Sequence, residues 1–122
     1  MTDSKCIDSS VWLEYFFNST FKEILEGKEM LFISALSLFE IRKKLIKSEI
    51  SQDKIAKSID FVKRRSLIIS VENEIAEYAA DLSVLHNLAA IDALIYASAL
   101  KQNIKLITLD NDFRGLKDIS IL

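Results

Sequence analysis

The chain has 122 residues, of which 50% are hydrophobic and 28% are charged, and its formal net charge at pH 7 is −2. A chain of this length can bury one good core, so we expect a single domain over residues 1–122. The charge balance excludes a general attraction to nucleic acid, so a polyanion partner would need a local basic patch or a bound metal. The lone Cys6 excludes an intrachain disulfide and a cysteine-rich metal site, and its apolar neighbours indicate a buried, inert thiol.

Membrane association is not expected. The longest apolar runs are interrupted by charged residues well before the roughly 20 residues that a bilayer span requires. Asp8 comes too early for the apolar part of a signal peptide, so we expect a cytoplasmic protein. The chain has two glycines and no proline, and it contains no glycine-rich phosphate loop and no internal repeat.

Short apolar segments typical of buried strands alternate with stretches of helical spacing. The predicted strands are 5–7, 31–34, 67–71, 105–109 and 119–122. Helical spacing is clear at Ile55, Ile59 and Val62, with Ser51 and Asp53 as plausible caps near the start. The interval from Val71 to the fourth strand is long enough for two helices. This alternation favours a parallel sheet covered by helices on both faces.

Two acids follow predicted strands directly. Asp8 follows the first strand, and Asp110 follows the fourth. Ligands of open α/β sheets bind beyond the carboxyl ends of the strands, so both positions suit a functional role. The alternative for each is structural, because Asp is a common helix N-cap and turn residue.

Two further acids lie in predicted helices. Glu40 lies at the edge of the apolar stripe of its helix, and its alternative role is a surface pair with Lys44. Asp92 lies in an apolar segment, and no Lys or Arg stands three or four residues away from it. An unpaired buried carboxylate costs several kcal/mol. The alternative for Asp92 is an N-cap of a helix from Ala93 to about Gln102.

All four acids would lie on the carboxyl-end side of one parallel sheet. Like charges about 4 Å apart repel by about 4 kcal/mol at an effective dielectric constant near 20, so such a cluster needs a cation. A site with oxygen ligands and no nearby His or Cys indicates Mg²⁺ or Mn²⁺ and not zinc.

Four motifs, in chain order, resemble those of the PIN domain family, and within it the VapC-type toxins of bacterial and archaeal toxin–antitoxin pairs. The motifs are CIDSSVWLEYF, SALSLFEIRKKL, LAAIDALIYASAL and LITLDNDF, and the resemblance extends over essentially the whole chain. Family members often have Pro or Thr just before the central Asp, where this chain has Ala90 and Ile91. That departure leaves the implied ligand set intact and affects only the turn before Asp92.

The resemblance implies a three-layer α/β/α fold with a parallel five-stranded sheet in the order 3-2-1-4-5, and Mg²⁺- or Mn²⁺-dependent cleavage of RNA. Asp112 would be an additional or alternative ligand, and Ser9 and Thr108 resemble the hydroxyl residues that orient the carboxylates in this family. It also implies a homodimer, and a cognate antitoxin whose Arg-bearing segment would neutralise the acids. The implied acidic quartet, with the first and third acids preferred as direct metal ligands, is Asp8, Glu40, Asp92 and Asp110.

RNA would require basic side chains beside the acids. Arg42 and Arg114 are the preferred candidates, and Lys43 and Lys44 are further ones. The run 63–65 is interpreted as solvated charge at a helix end. Two other groups are interpreted as structural: a lone histidine, and an aromatic cluster expected to contact the core or a partner. These residues are His86, Trp12, Tyr15 and Phe16.

Two rival functions share parts of this pattern. A phosphoacceptor receiver domain would need an Asp at the end of the third strand, where this chain has Ser70. A PIN-like fold without activity, serving as an RNA- or protein-binding adaptor, would retain the acids without turnover. Metal-dependent cleavage distinguishes that adaptor from a ribonuclease.

Overall fold

The structure is a computed structural model that describes residues 4–122, and its centre is a parallel five-stranded sheet. The sheet order is β3-β2-β1-β4-β5, and all neighbouring strands are parallel. This confirms the predicted order and excludes the receiver domain, whose strands run 2-1-3-4-5. The strands are β1 Lys5–Ile7, β2 Leu31–Ser34, β3 Ser66–Ile69, β4 Lys105–Thr108 and β5 Ile119–Ile121.

The predicted third strand, 67–71, is displaced in the structure. Strand β3 begins at Ser66, directly after a helix, and ends at Ile69. Its partner β2 has only four residues and pairs with β3 one to one, so Ser70 and Val71 have no partner in β2. The fourth and fifth predicted strands each extend one residue too far, to Leu109 and Leu122.

Six α-helices and one short 3-10 helix connect the strands. Ser34 and Ser51 cap two of these helices, because their hydroxyl oxygens accept hydrogen bonds from the Leu36 and Lys54 amides. Of the two predicted caps of α4, Ser51 is therefore confirmed, whereas Asp53 lies inside the first turn of that helix. The helices are α1 Ser9–Asn18, α2 Lys22–Leu25, α3 Ala35–Lys47, α4 Gln52–Arg65, α5 Asn73–His86 and α6 Ala90–Lys101, with the 3-10 helix at Asn111–Phe113.

Within residues 4–122, no single helix could span a membrane. None of the helices combines the necessary length with a sufficiently apolar composition. Helices α5 and α6 satisfy both criteria only when they are counted together, and they are bent by 117° relative to each other.

The sheet separates two hydrophobic cores, because successive side chains of a strand point to opposite faces. On one face, Ile7 and Ile107 pack with apolar residues of α1 to α4. On the other, Cys6 and Leu106 pack with α5 and α6. The three-layer α/β/α arrangement is thus confirmed. Cys6 is fully buried, and this burial raises the pKa of its thiol to about 12, as expected of an inert cysteine.

The early aromatic residues belong to the first core. Trp12 is fully buried, whereas Tyr15 and Phe16 are partly buried against the same cluster. The Trp12 ring lies 6.2 Å from the rings of both Phe16 and Phe61. Core packing therefore accounts for these residues, and base stacking is not needed to explain them.

The interpretation of the basic run 63–65 as solvated charge is wrong for Arg65. Arg64 is exposed and pairs with Asp60 at 2.8 Å, as expected of solvated charge. The Arg65 guanidinium instead donates three hydrogen bonds to backbone carbonyls more than 30 residues away. The acceptors are the carbonyl oxygens of Ile24 at 3.2 Å, Leu25 at 2.8 Å and Glu29 at 2.6 Å. Arg65 thereby fastens the segment that leads into β2.

Candidate active site

Strands β1 and β4 place two of the acids side by side. The Asp8 amide donates a hydrogen bond to the Ile107 carbonyl at 2.9 Å, which continues the strand ladder one residue beyond β1. The Thr108 hydroxyl then donates to Asp8 Oδ2 at 2.8 Å and accepts from the Asp110 amide at 3.0 Å. One hydroxyl therefore orients both strand-end acids, in agreement with the prediction for Thr108.

Ser10 is a contact that the sequence analysis missed. Its hydroxyl donates to Asp8 Oδ2 at 2.9 Å and accepts from the Leu109 amide at 3.0 Å. Ser10 lies in the first turn of α1, so its side chain can return to the strand end that it has just left. The available signal was a second hydroxyl residue two positions after a strand-end Asp.

Ser9 orients a different acid from the one that its place in the sequence suggests. Its hydroxyl donates to Glu40 Oε1 at 2.8 Å, which ties the start of α1 to α3. Glu40 is half-buried, and this burial raises its pKa, while the Ser9 hydrogen bond acts against that rise. The alternative role considered for Glu40, a surface pair with Lys44, is not observed, because no salt bridge within residues 4–122 involves Glu40.

Asp92 is the third residue of α6 and not its cap. The helix begins at Ala90, and Ala89 occupies the N-cap position with an extended backbone. The alternative considered for Asp92, an N-cap of a helix beginning at Ala93, is therefore excluded. In the first turn, a carboxylate faces the positive end of the helix dipole, which offsets part of the cost of its burial.

The turn before α6 brings Asp92 to the other acids. Helix α5 ends where Asn87 adopts the left-handed conformation, with φ of 53°. The Ser83 hydroxyl donates to the Leu88 carbonyl at 2.7 Å, and the Leu88 side chain is buried in the second core. These contacts fix the angle between the helices without the Pro or Thr that is common in similar sequences.

The acids converge and repel one another. One carboxylate oxygen each from Asp92, Asp110 and Asp112 lies within 4.8 Å of the others. Burial, followed by repulsion from the other four acids, raises the pKa of Asp92 to about 6. Burial likewise raises the pKa of Asp8, and the Asp110 charge adds to that rise. We refer to Asp8, Glu40, Asp92, Asp110 and Asp112 together as the acidic site.

The acidic site has the chemistry of a site for a hard divalent cation. Its donors are all oxygen atoms, as Mg²⁺ and Mn²⁺ prefer. Among the described residues, no salt bridge compensates any of the five carboxylates. Asp92, Asp110 and Asp112 are best placed to hold an ion together. Asp8, which the sequence favoured as a direct ligand, is only 4% exposed and lies outside this group of three.

The remaining candidates lie around the rim or away from it. Arg114 is exposed beside the last motif, and its guanidinium donates to Asn111 Oδ1 at 3.0 Å. Arg42 is exposed, but two residues along a helix amount to about 200° of rotation, so it points away from Glu40. His86 is exposed, and its ring makes an edge contact with Tyr96 at 6.4 Å.

Replacing Ser10 with Ala is expected to weaken both the fold and the acidic site. The change removes a donor to Asp8 and leaves the Leu109 amide without its acceptor, which should cost about 1–2 kcal/mol of unfolding free energy. Loss of a partner that orients a metal-site carboxylate typically lowers metal affinity about 10–100-fold. Denaturant unfolding and Mn²⁺ titration measure the two effects. Ser10→Thr retains the hydroxyl and should restore metal affinity; failure of that rescue would contradict the positioning role.

Comparison with known proteins agrees with this geometry. The sequence model of the PIN domain matches residues 5–119. A toxin–antitoxin complex from Klebsiella pneumoniae contains a chain with a TM-score of 0.79 at 20% identity, and the match covers 95% of each chain. VapC20 from Mycobacterium tuberculosis, described as a sarcin–ricin loop cleaving toxin, has a TM-score of 0.76 at 18% identity, with 96% of this chain and 98% of that chain covered.

VapBC2 from Rickettsia felis, bound to a DNA fragment from its promoter, also matches. Its TM-score is 0.74 at 18% identity, with 98% of this chain and 97% of that chain covered. No curated protein sequence matches the chain. Because the PIN model extends over nearly the whole sequence, the chain belongs to the PIN domain family.

Proposed function

We propose that the chain is a Mg²⁺- or Mn²⁺-dependent endoribonuclease that acts as the toxin of a type II toxin–antitoxin pair. The observation that carries this proposal is the convergence of five carboxylates from four distant segments, with no salt bridge to compensate them among the described residues. A cluster of that kind is costly without a bound cation. The similarity to toxin–antitoxin structures supports the toxin role.

In this proposal the residues of the acidic site have different roles. Asp92, Asp110 and Asp112 would hold the ion, which, when bound, activates water and stabilises negative charge on the phosphodiester. Asp8, held by hydrogen bonds from Thr108 and Ser10, would provide a fixed carboxyl group beside these three acids.

Glu40 has a separate role at the edge of the site. It is oriented by the Ser9 hydroxyl, and burial raises its pKa. A carboxyl group with a raised pKa is suited to hold a proton during the reaction. Glu40 is therefore the proposed proton carrier.

The proposal is tested by incubating the purified chain with a structured RNA in Mg²⁺, Mn²⁺ or EDTA. We expect cleavage with either metal, loss of cleavage in EDTA, and recovery when excess Mn²⁺ is added back. The same RNA without protein controls for metal-driven hydrolysis. An inactive adaptor would bind the RNA in every condition without cutting it, and that result would overturn the ribonuclease proposal.

The proposed partners are a cognate antitoxin and a second copy of the chain, acting together in the cytoplasm. The similar solved structures from Klebsiella pneumoniae and Rickettsia felis are toxin–antitoxin assemblies, which supports the antitoxin. A short open reading frame beside the gene would add support. Co-expression of its product should suppress RNA cleavage, and cleavage that persists at full occupancy would contradict the pairing.

A further inference from the structure

Helix α3 carries a row of lysines that begins next to the acidic site. Lys43, Lys44 and Lys47 follow Glu40 by three, four and seven residues, which places them on the same side of the helix as Glu40. All three lysines are exposed. We refer to them as the lysine ridge. No salt bridge within residues 4–122 involves any of the three, although the Lys43 charge opposes the rise in the pKa of Glu40.

A shallow cavity connects the lysine ridge to the acidic site. Its volume is about 280 Å³. The lining of the cavity includes Ser9 and Glu40, the aromatic ring of Phe39 and all three residues of the lysine ridge.

Phe39 is an exposed aromatic residue at the edge of this cavity. Its side chain is 53% exposed, and the Lys43 ammonium lies 5.7 Å from its ring centre. Proteins that bind single-stranded nucleic acid combine cations that follow the phosphate backbone with aromatic rings on which bases stack. Phe39 and the lysine ridge supply both components, next to the carboxylates that would act on a phosphodiester.

We propose that Phe39 and the lysine ridge bind an unpaired RNA segment adjacent to the scissile phosphate. The lysines contact the backbone, and an unstacked base packs on the Phe39 ring. This inference rests on the proposed ribonuclease function and adds the surface, and the residues on it, that would hold the substrate next to the acidic site. Charge complementarity to a polyanion and continuity with the acidic site favour RNA over a protein partner. It also moves RNA binding from Arg42 to the opposite side of α3.

The first experiment measures the salt dependence of RNA binding. Parent protein and variants carry Asp92→Asn to prevent cleavage, and binding of a fluorescent single-stranded RNA is followed from low to moderate salt. The triple variant Lys43→Gln, Lys44→Gln, Lys47→Gln should reduce the slope of log affinity against log salt by about 2, because each phosphate contact to a single strand contributes about 0.7. An unchanged slope would overturn the proposal that the lysine ridge contacts the RNA backbone.

A matched triple variant controls for net charge. Lys22, Lys28 and Lys105 are also exposed. Lys22 and Lys28 precede β2, and Lys105 is the first residue of β4, so all three lie toward the amino-terminal edge of the sheet. Changing these three to Gln removes the same charge far from the acidic site. The slope should then stay within error of the parent, and an equal loss in both triple variants would also overturn the inference.

The second experiment tests stacking on Phe39. Phe39→Ala should weaken single-stranded RNA binding about tenfold, without changing the salt slope. Phe39→Leu should be nearly as weak, because it keeps apolar bulk but has no ring. Binding of a duplex of the same sequence should change little. Equal losses for duplex and single strand, or no loss for either, would contradict a stacked base.

Cleavage by the wild-type chain, measured in parallel with Mn²⁺, separates the two levels of the proposal. If the wild type cleaves RNA while both sets of variants bind like their parent, the binding surface is wrong and the ribonuclease stands. If the wild type does not cleave in any metal, the ribonuclease proposal fails, and the substrate assignment fails with it.

Discussion

Replacing Asp92 with Asn is expected to lower RNA cleavage by at least about 100-fold. Asp92 shares the three-carboxylate group with Asp110 and Asp112, and its pKa is raised by burial and by all four other acids. Losing a residue that merely supports a metal ligand already costs about 10–100-fold in affinity or activity. Asn has nearly the same shape as Asp, so the loss would come from charge and not from packing. Single-turnover cleavage assays at saturating RNA measure it.

The same variant should be more stable than the wild type in the absence of metal. Removing a partly buried, repelled charge should raise the free energy of unfolding by about 1 kcal/mol after allowance for solvent screening. Asp81→Asn, an exposed change on α5, is the matched control and should alter neither property. If the Asp92→Asn variant cleaved RNA at the wild-type rate, Asp92 would have no part in the chemistry, whatever the effect of the change on stability.

The features that sequence predicted well are those encoded by local patterns. Strands β1 and β4 are short continuous apolar runs because neighbours such as Cys6 and Ile7 enter different cores, and such runs can be recognised in the sequence. Each acid has a fixed place next to a strand end or near the start of a helix. Once the family resemblance supplied the strand order, the convergence of the acids could be predicted. The third strand was predicted at 67–71, but it ends at Ile69, where its four-residue partner β2 also ends. The residues in 67–71 carry no information about the length of β2.

The features that sequence missed depend on the direction of single side chains. Arg65 looks like solvated charge in the sequence, but in the structure it donates to carbonyls some 40 positions earlier, Leu25 among them. Ser9 and Ser10 are adjacent and chemically identical, yet one serves Glu40 and the other Asp8. Which hydroxyl reaches which acid follows from where α1 begins relative to the strand end, and that is known only from the fold.

The metal-free chain is expected to become more stable as the pH is lowered, contrary to the usual loss of stability in acid. Asp92 has a pKa of about 6 in the folded chain against an ordinary value of 3.8. Between these values the folded state binds more protons than the unfolded state, so stability falls as the pH rises through this window. The pKa values of Asp8 and Glu40 are raised in the same direction. From about pH 7.5 to about pH 5, we expect the melting temperature to rise by about 5 °C.

Bound Mn²⁺ should reverse this pH dependence, because protons and metal compete for the same carboxylates. At about 100 times its dissociation constant, a ligand that binds only the folded state adds about 2.7 kcal/mol, equivalent to a rise of about 8 °C. The rise should be largest near pH 7.5, where the acidic site is ionised, and should shrink toward pH 5. Calorimetry of Asp92→Asn provides the control, since its pH dependence and its response to Mn²⁺ should both be smaller. If the melting temperature of the wild type fell steadily below pH 7 and did not change on addition of Mn²⁺, the five carboxylates would not form a metal-binding cluster in solution.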